Sequence, residues 1–462
     1  LSEDNVDALM IGVSGMRGTV GGTLTPPVVV RMVGAFVSWL RARRGADAPL
    51  KVVFGRDSRP SGPWLRDATI ATLAAGGCEV IDLDIVTTPG VAMMVRHLGA
   101  DAGIVATASH NPIRWNGLKF LDYRGVAPPA ADAAAIRDLF EQGSSSVVAV
   151  DRLMPVRKDS QTHALHTRTV LARVDALGIS SRRYKVVLDS VNGAGCVGTA
   201  MLLSKLGCNL IHLNSTPDGK FPHDPEPTEA NLQQLASEVR RQNANVGFAQ
   251  DPDADRLAIV DERGVYIGEE YSLALCVRWM LSRRPGVVVS NLSTSRMIDD
   301  LAARYGCEVL RTPVGEANVI EVMLQNGAVI GGEGNGGVID PAVVPGRDSM
   351  VGMAYVLQLM LETGKSVSQL VEEIPRYRMI KTKFPCRREA AQRAVEAIRD
   401  RITDARIDLQ DGVRVDWEDS WVHARASNTE PIMRIIAEAS TLEIAEARID
   451  YIRRIVQEAG VS

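Results

Sequence analysis

The chain is poor in several features, and each shortage narrows its class. It has six cysteines in 462 residues, Cys78, Cys196, Cys208, Cys276, Cys307 and Cys386, none of them in a CxxC pair. That scatter excludes a disulfide framework or a zinc knuckle, and a reducing cytoplasm is the expected setting. No apolar run reaches the ~18 residues that a membrane-spanning helix needs. The opening Leu1-Ser2-Glu3-Asp4-Asn5 is acidic where a signal peptide is basic, so neither anchor nor signal is expected. Neither charge sign dominates: 52 Lys and Arg against 56 Asp and Glu leave −4. No global field therefore draws the chain to nucleic acid or membrane, and any anionic ligand must be met by local basic residues. What is present is ordinary globular usage, 45% apolar and 23% charged, which excludes a disordered or fibrous chain. At roughly 150 residues per domain, the length predicts about three domains.

One succession occurs three times: a β-branched run, a polar turn, a helical stretch, a Gly-Cys junction and a second β run. The first runs are Lys51-Val52-Val53-Phe54-Gly55, Lys185-Val186-Val187-Leu188-Asp189 and Val287-Val288-Val289-Ser290, which read as buried parallel strands. Gly77-Cys78, Gly207-Cys208 and Gly306-Cys307 follow, then Thr88-Pro89, Thr216-Pro217 and Thr312-Pro313. A third apolar run closes each copy at Gly103–Val105, Asn245–Phe248 and Ala328–Ile330. These runs lead into Thr107-Ala108-Ser109-His110-Asn111-Pro112, Asp251-Pro252-Asp253-Ala254-Asp255-Arg256 and Gly332-Glu333-Gly334-Asn335-Gly336-Gly337. Ligands of open α/β sheets bind beyond the carboxyl ends of strands. The pattern thus predicts three related α/β domains with mixed sheets around a central cleft. Beyond Pro375 the pattern changes to a hairpin (Val413–Trp417, Trp421–Ala424), a strand at Met433–Ala437 and an amphipathic last helix marked by Ile449, Ile452 and Val456, a C-terminal α+β domain. The expected domains are 1–155, 156–262, 263–375 and 376–462.

The three loops and one stretch of the last domain carry the chemistry. Ser109 follows a strand that Asn111-Pro112 stops, so it is expected to stand exposed as a nucleophile, with His110 beside it and Lys119 on the next segment; a helix cap is the plainer alternative. Asp251, Asp253 and Asp255 alternate and can aim three carboxylates to one side, where they repel unless a cation sits between them. Hard oxygen donors with open positions suit Mg²⁺. The alternatives are a calcium EF-hand closed by Glu262, against which Arg256 and the strand-like Leu257–Val260 speak, and a solvated acidic turn. Gly332–Gly337 spells GxGxxG, but Val338-Ile339-Asp340-Pro341 is no helix, so the dinucleotide reading is weak. Glu333 and Asn335 among glycines suit the hydroxyls of a polyhydroxylated ligand, with a plain glycine turn as the alternative. Arg425, Ser427, Asn428 and Thr429, with Arg434 nearby, have the composition of a phosphate cradle, or of an exposed turn with incidental arginines. Arg17, within Gly12–Gly18, could meet an anion or lie on the surface.

Together, in this order and over nearly the whole chain, these motifs resemble the α-D-phosphohexomutase family. The resemblance implies that Ser109 is the phosphorylated serine and that Asp251, Asp253 and Asp255 with the serine phosphate hold Mg²⁺. It implies that Glu333 and Asn335 contact the sugar, and that Arg425, Ser427, Asn428 and Thr429 clamp the non-reacting phosphate. Lys119, Arg17, His110 and Arg256 match positions that assist phosphoryl transfer, with Lys119 as general base, a role that requires its pKa to be lowered by nearby cations and partial burial. The implied reaction interconverts hexose 6- and 1-phosphates through a hexose 1,6-bisphosphate, the small-molecule partner being a sugar phosphate and the protein a cytoplasmic monomer or homodimer. The loop variants look most like those of enzymes acting on glucosamine phosphate; mannose or glucose phosphate is the runner-up, and an inert sugar-phosphate-binding protein the alternative of another class. Many relatives carry a histidine where this chain has Gly337, so proton transfer there would fall to another histidine or to water.

Overall fold

The computed structural model describes residues 9–45, 48–427 and 432–460. The chain forms two compact units: residues up to Trp279 together with Asn335–Val371, and Met280–Gly334 together with the chain from Glu372.

In the first unit, strands β1 (Met10–Gly12), β2 (Gly15–Thr19), β3 (Leu50–Arg56), β4 (Cys78–Ile85), β5 (Ala102–Ala106), β6 (Trp115–Asp122) and β7 (Val156–Lys158) build one mixed sheet in the order β1-β2-β6-β5-β3-β4-β7. β3 runs parallel to β4 and β5, whereas β6 is antiparallel to both β5 and β2. The run Lys51–Gly55 is apolar at nearly every position because both faces of β3 are covered. Helix Pro26–Arg44 starts on two prolines whose fixed φ suits a first turn. It drives Val29, Val33, Phe36 and Leu40, at helical spacing, into a core with Val52, Phe54 and Ile104. A second sheet contains β8 (Lys185–Asp189), β9 (Asn209–Leu213), β10 (Val246–Gln250) and β11 (Leu257–Val260) in the order β11-β10-β8-β9, with only the β10/β11 pair antiparallel.

The second unit holds three parallel strands, β12 (Val288–Asn291), β13 (Val309–Thr312) and β14 (Ile330–Glu333), with β12 between the others. It also holds a five-stranded antiparallel sheet in the order Arg378–Pro385, Ile432–Ala439, Ser420–Ala426, Val413–Asp416, Arg406–Asp408. Ile449, Ile452 and Val456 of the helix Leu442–Glu458 are buried in that sheet's core.

The threefold repeat is therefore a repeat of topology. In each copy the first strand lies between the third and the second: β5-β3-β4, β10-β8-β9 and β14-β12-β13. Three related α/β domains and an α+β fourth are what the chain forms. The Ser109 and Asp251 loops leave the carboxyl ends of equivalent strands, and Glu333 ends the third, where open α/β sheets place their ligands. Among the described residues no helix is long and apolar enough to cross a membrane.

Candidate active site

Ser109 sits in a left-handed backbone conformation, φ 50°, which a non-glycine residue adopts only when its surroundings hold it there. Arg59 does much of this holding. Fully buried, it donates from Nη2 to the carbonyls of Ser109 and Asn111, 2.6 Å each, and from Nη1 to those of Pro112 and Trp115 at 2.8 and 3.0 Å. Its Nε is paired with Asp57 Oδ2 at 3.0 Å. Thr107 Oγ1 donates to that same carboxylate oxygen and accepts from Ser109 N. The strand ends at Ala106, already ahead of Asn111-Pro112, and no helix follows, so Ser109 caps none. Contrary to expectation Ser109 is not exposed; only 2% of its surface is open. The hydroxyl is buried because it packs on the neighbouring acidic loop and donates to Asp251 Oδ2 at 2.8 Å. His110 Nδ1 lies 3.4 Å from the same Oγ.

The acidic loop turns between β10 and β11 with Ala254 at φ 58°, and Asp251, Asp253 and Asp255 are all buried. Asp251 Oδ1 accepts the backbone N–H groups of Asp255 and Arg256, 3.1 Å each. Asp253 Oδ2 accepts from Thr88 Oγ1 and Lys119 Nζ, both at 2.7 Å. Asp255 Oδ2 accepts from Lys119 Nζ at 3.2 Å and Arg347 Nη2 at 2.7 Å. One oxygen from each carboxylate lies within 4.8 Å of the others, and Asp253 Oδ1 and Asp255 Oδ1 have no hydrogen-bond partner although buried. Buried acceptors left open in this way fit a hard divalent cation, which asks for oxygen donors. The EF-hand alternative fails on geometry, since the Glu262 carboxylate is taken up by Ser366 and Ser368.

Cations ring the trio. Arg17 on β2 and Lys119 on β6 share a face of paired strands because Lys119 stands opposite Gly15, two residues from Arg17, and each has a glycine across from it: Gly15↔Lys119 and Arg17↔Gly117. A side chain at Gly117 would put its Cβ 2.2 Å from Met16 O. Burial pushes the Arg17 guanidinium below its ordinary pKa, opposed by Asp253 and Asp255. Arg256 is near Glu226, 3.7 Å from Nη1 to Oε1. Burial, helped by Arg256 and Arg17, holds His110 down to about 3, so its imidazole is neutral.

The expected lowering of Lys119 is overturned. Burial alone would lower it, but the Asp253 and Asp255 charges outweigh that and raise its pKa. The same contact keeps Asp253 low: burial works against its charge, and Lys119 wins. Asp251 is raised, first by burial and then by the charges of Asp255 and Asp253, and is the carboxyl that most readily keeps a proton.

Of the two residues expected to meet a sugar, Asn335 turns its Oδ1 to Gly337 N at 3.2 Å. In the second unit, Glu333 is buried with Oε1 accepting from Asn291 Nδ2 at 2.9 Å. There too Arg425 faces Arg434 across adjacent strands, and Arg434 faces Lys383 on its other side. Arg425 is paired with Asp411 at 3.1 Å. Ser427 N donates to Ile432 O, closing the ends of the loop; Asn428 and Thr429 fall outside the described residues. Like charges directly opposite destabilise a sheet unless something answers them, and three cations in a row suit an anion.

Arg59, Glu226, Arg347 and Lys383 were not singled out from sequence, and Thr88 only as part of the Thr-Pro punctuation of the repeat. Only Lys383 carried a local signal, as a basic residue in an alternating strand; the others act through contacts distant in the chain.

Four family models match the chain in order. Phosphoglucomutase/phosphomannomutase alpha/beta/alpha domain I covers residues 8–146, domain II 164–264, domain III 269–377 and the C-terminal domain 381–455. The chain is 37% identical over 455 residues to a phosphoglucomutase/phosphomannomutase of Thermococcus kodakarensis, covering 97% of this chain and 99% of the relative. It is 36% identical over 455 residues to a probable phosphoglucosamine mutase of Methanopyrus kandleri, covering 97% and 98%. Among solved structures, a phosphoglucomutase/phosphomannomutase family protein of Burkholderia thailandensis superposes with a TM-score of 0.86 at 27% identity, covering 98% of both chains.

Proposed function

The chain belongs to the phosphoglucomutase/phosphomannomutase family of sugar-phosphate isomerases, and from that premise we propose that Ser109 carries the phosphoryl group it moves between the 6- and 1-oxygens of a hexose. The observation that carries this reading is the contact of Ser109 Oγ with Asp251 at 2.8 Å, inside a loop system that fixes both.

In the proposed cycle phosphorylated Ser109 gives its phosphoryl group to the free hydroxyl of a hexose monophosphate. The serine O–P bond breaks, a sugar O–P bond forms, and the sugar's proton passes to Lys119, whose amine must first be free of the proton that its contacts with Asp253 and Asp255 favour. The resulting 1,6-bisphosphate turns around and returns its other phosphoryl group to Ser109, with the proton going back to the product. Arg17, Arg256 and neutral His110 flank the serine and answer the charge of the transferred group, the work that phosphoryl transfer chiefly asks of a protein. Asp251, Asp253, Asp255 and Ser109 would hold Mg²⁺. When bound, that ion supplies positive charge to the phosphoryl oxygens and against the two carboxylates that raise Lys119. Glu333 and Asn335 are assigned to sugar hydroxyls, and Arg425, Ser427, Asn428, Thr429 and Arg434 to the phosphate that is not reacting. The phosphoserine, metal, sugar and clamp functions correspond to 1–155, 156–262, 263–375 and 376–462.

Glucosamine phosphate is the proposed substrate, supported by the name of the Methanopyrus relative. The Thermococcus relative supports mannose and glucose phosphates as the second reading. Turnover of the three sugar phosphates side by side decides: kcat/KM highest for glucosamine 6-phosphate is expected, and no turnover of it beside good turnover of mannose or glucose phosphate would transfer the proposal to the second reading.

A further inference from the structure

Arg347 stands outside every motif read from the sequence, yet it lies between two of them. The segment that follows the Asn335–Gly337 turn folds back on the acidic loop through Arg347 and Ser349, with Asp348 between them anchored elsewhere. Arg347 Nη2 donates to Asp255 Oδ2 at 2.7 Å. Asp348 accepts from Met350 N to start helix Ser349–Thr363 and is paired with buried His166 at 2.6 Å. Ser349 Oγ donates to Ala254 O at 2.6 Å and accepts from Gln250 Nε2 at 2.6 Å. The turn itself rests on the far end of the same loop, where Leu257 N donates to Gly336 O at 2.9 Å.

Gly337 is where these contacts converge. A Cβ built there would come within 2.2 Å of Arg347 Cδ and 2.8 Å of its Cγ. Both atoms are in the middle of the side chain, so relief would require the arginine to swing away, and its guanidinium is buried on Asp255. The space beside Gly337 is thus filled by an arginine rather than by a histidine or water. A guanidinium stays charged at any working pH. With Arg347 and Lys119 both on Oδ2, Asp255 Oδ1 is the oxygen left without a hydrogen bond, and it stays buried.

We propose that Arg347 is a positioning residue that couples the Asn335–Gly337 turn to the carboxylate trio: it fixes Asp255 with one oxygen presented to a divalent cation, and position 337 must be glycine to leave room for it. This rests on the trio being a Mg²⁺ site. Ligand-orienting contacts of this kind are worth about 10- to 100-fold in metal affinity.

The test is a double-variant cycle on the full chain, read by Mg²⁺ binding in calorimetry and by mutase kinetics, with melting temperature as the check on folding. Gly337→Ala and Arg347→Ala are each expected to weaken Mg²⁺ about 10- to 100-fold and to lower kcat more than they raise KM for the sugar phosphate. The double variant should be no worse than Arg347→Ala alone, because alanine at 337 then has nothing to displace. Should Arg347→Ala fail to fold, Arg347→Gln keeps most of the side chain's bulk and removes the charge, with the same loss of Mg²⁺ affinity expected. Losses that add independently, or Mg²⁺ affinities unchanged in folded single variants, would overturn the proposal. A wild-type protein that binds Mg²⁺ but has no mutase activity would instead overturn the functional reading and leave the coupling to be judged by calorimetry alone.

Discussion

One cluster of cationic side chains in the first unit and one in the second are handled in opposite ways. In the first, Lys119 and Arg347 are buried against carboxylates of the trio. In the second, Lys383, Arg434 and Arg425 stand opposite one another across three strands, with Asp411 on Arg425. Buried ions cost several kcal/mol each to desolvate and persist only when matched, whereas like charges directly opposite one another on neighbouring strands repel unless an opposite charge answers them. The first arrangement is a matched set of buried ions whose members depend on each other for folding; the second is a row of like charges, which we assign to binding the phosphate that is not reacting.

Breaking the matched set should therefore cost stability, and breaking the row of like charges should cost affinity. Removing Arg59 does the most damage, because it strips the donor from four carbonyls and the partner from buried Asp57. Arg59→Met is expected to lower the unfolding free energy by about 3–5 kcal/mol in denaturant titration. Asp253→Asn comes next, at about 3 kcal/mol, since Lys119 loses its shortest carboxylate contact. Asp251→Asn is the control that sharpens the point. Asp251 is the carboxyl raised by burial and by its two neighbours, so a neutral amide there should cost less than about 1 kcal/mol in the metal-free protein. Equal losses at 251 and 253 would contradict the assigned charge balance.

In the second unit, Arg425→Gln should leave melting nearly unchanged and raise KM for the sugar phosphate about 10- to 100-fold, the worth of one charge-assisted hydrogen bond. A large loss of stability with no change in KM would make it a structural pair with Asp411 instead. A further effect concerns pH. Burial holds His423 down to about 4, against the pull of Asp411, while its Nδ1 meets Ser293 and its Nε2 meets Asp411 O. The unfolded chain takes a proton near the ordinary 6.5 and the folded one only near 4. Stability should thus fall as pH drops through that window and flatten below it. His423→Gln should remove this part of the slope between pH 4 and 6.5 in thermal melts.

Much of this was legible in the chain itself. Runs such as Lys51–Gly55 and Lys185–Asp189 announce buried parallel strands, and their recurrence with Gly-Cys and Thr-Pro punctuation announces a repeated topology. The chemistry-bearing loops were legible for the same reason: Ser109 and the Asp trio are unusual residues placed just after such strands. Burial and partnership were not legible. Nothing near Ser109 in sequence says that its hydroxyl packs on a carboxylate 142 residues away. Nothing near Lys119 says that two carboxylates will raise rather than lower its pKa. Arg59 and Arg347 look like any other arginines until folding brings carbonyls or a carboxylate to them.

The central claim is that one serine lends and reclaims a phosphoryl group, and intact-mass spectrometry tests it most directly. Protein incubated with hexose 1,6-bisphosphate and Mg²⁺ should gain a single phosphoryl group on Ser109 and lose it when hexose monophosphate is added, while Ser109→Ala should gain none and retain no turnover. Full turnover by Ser109→Ala, or a phosphoryl group that never leaves Ser109 on addition of sugar phosphate, would contradict the account.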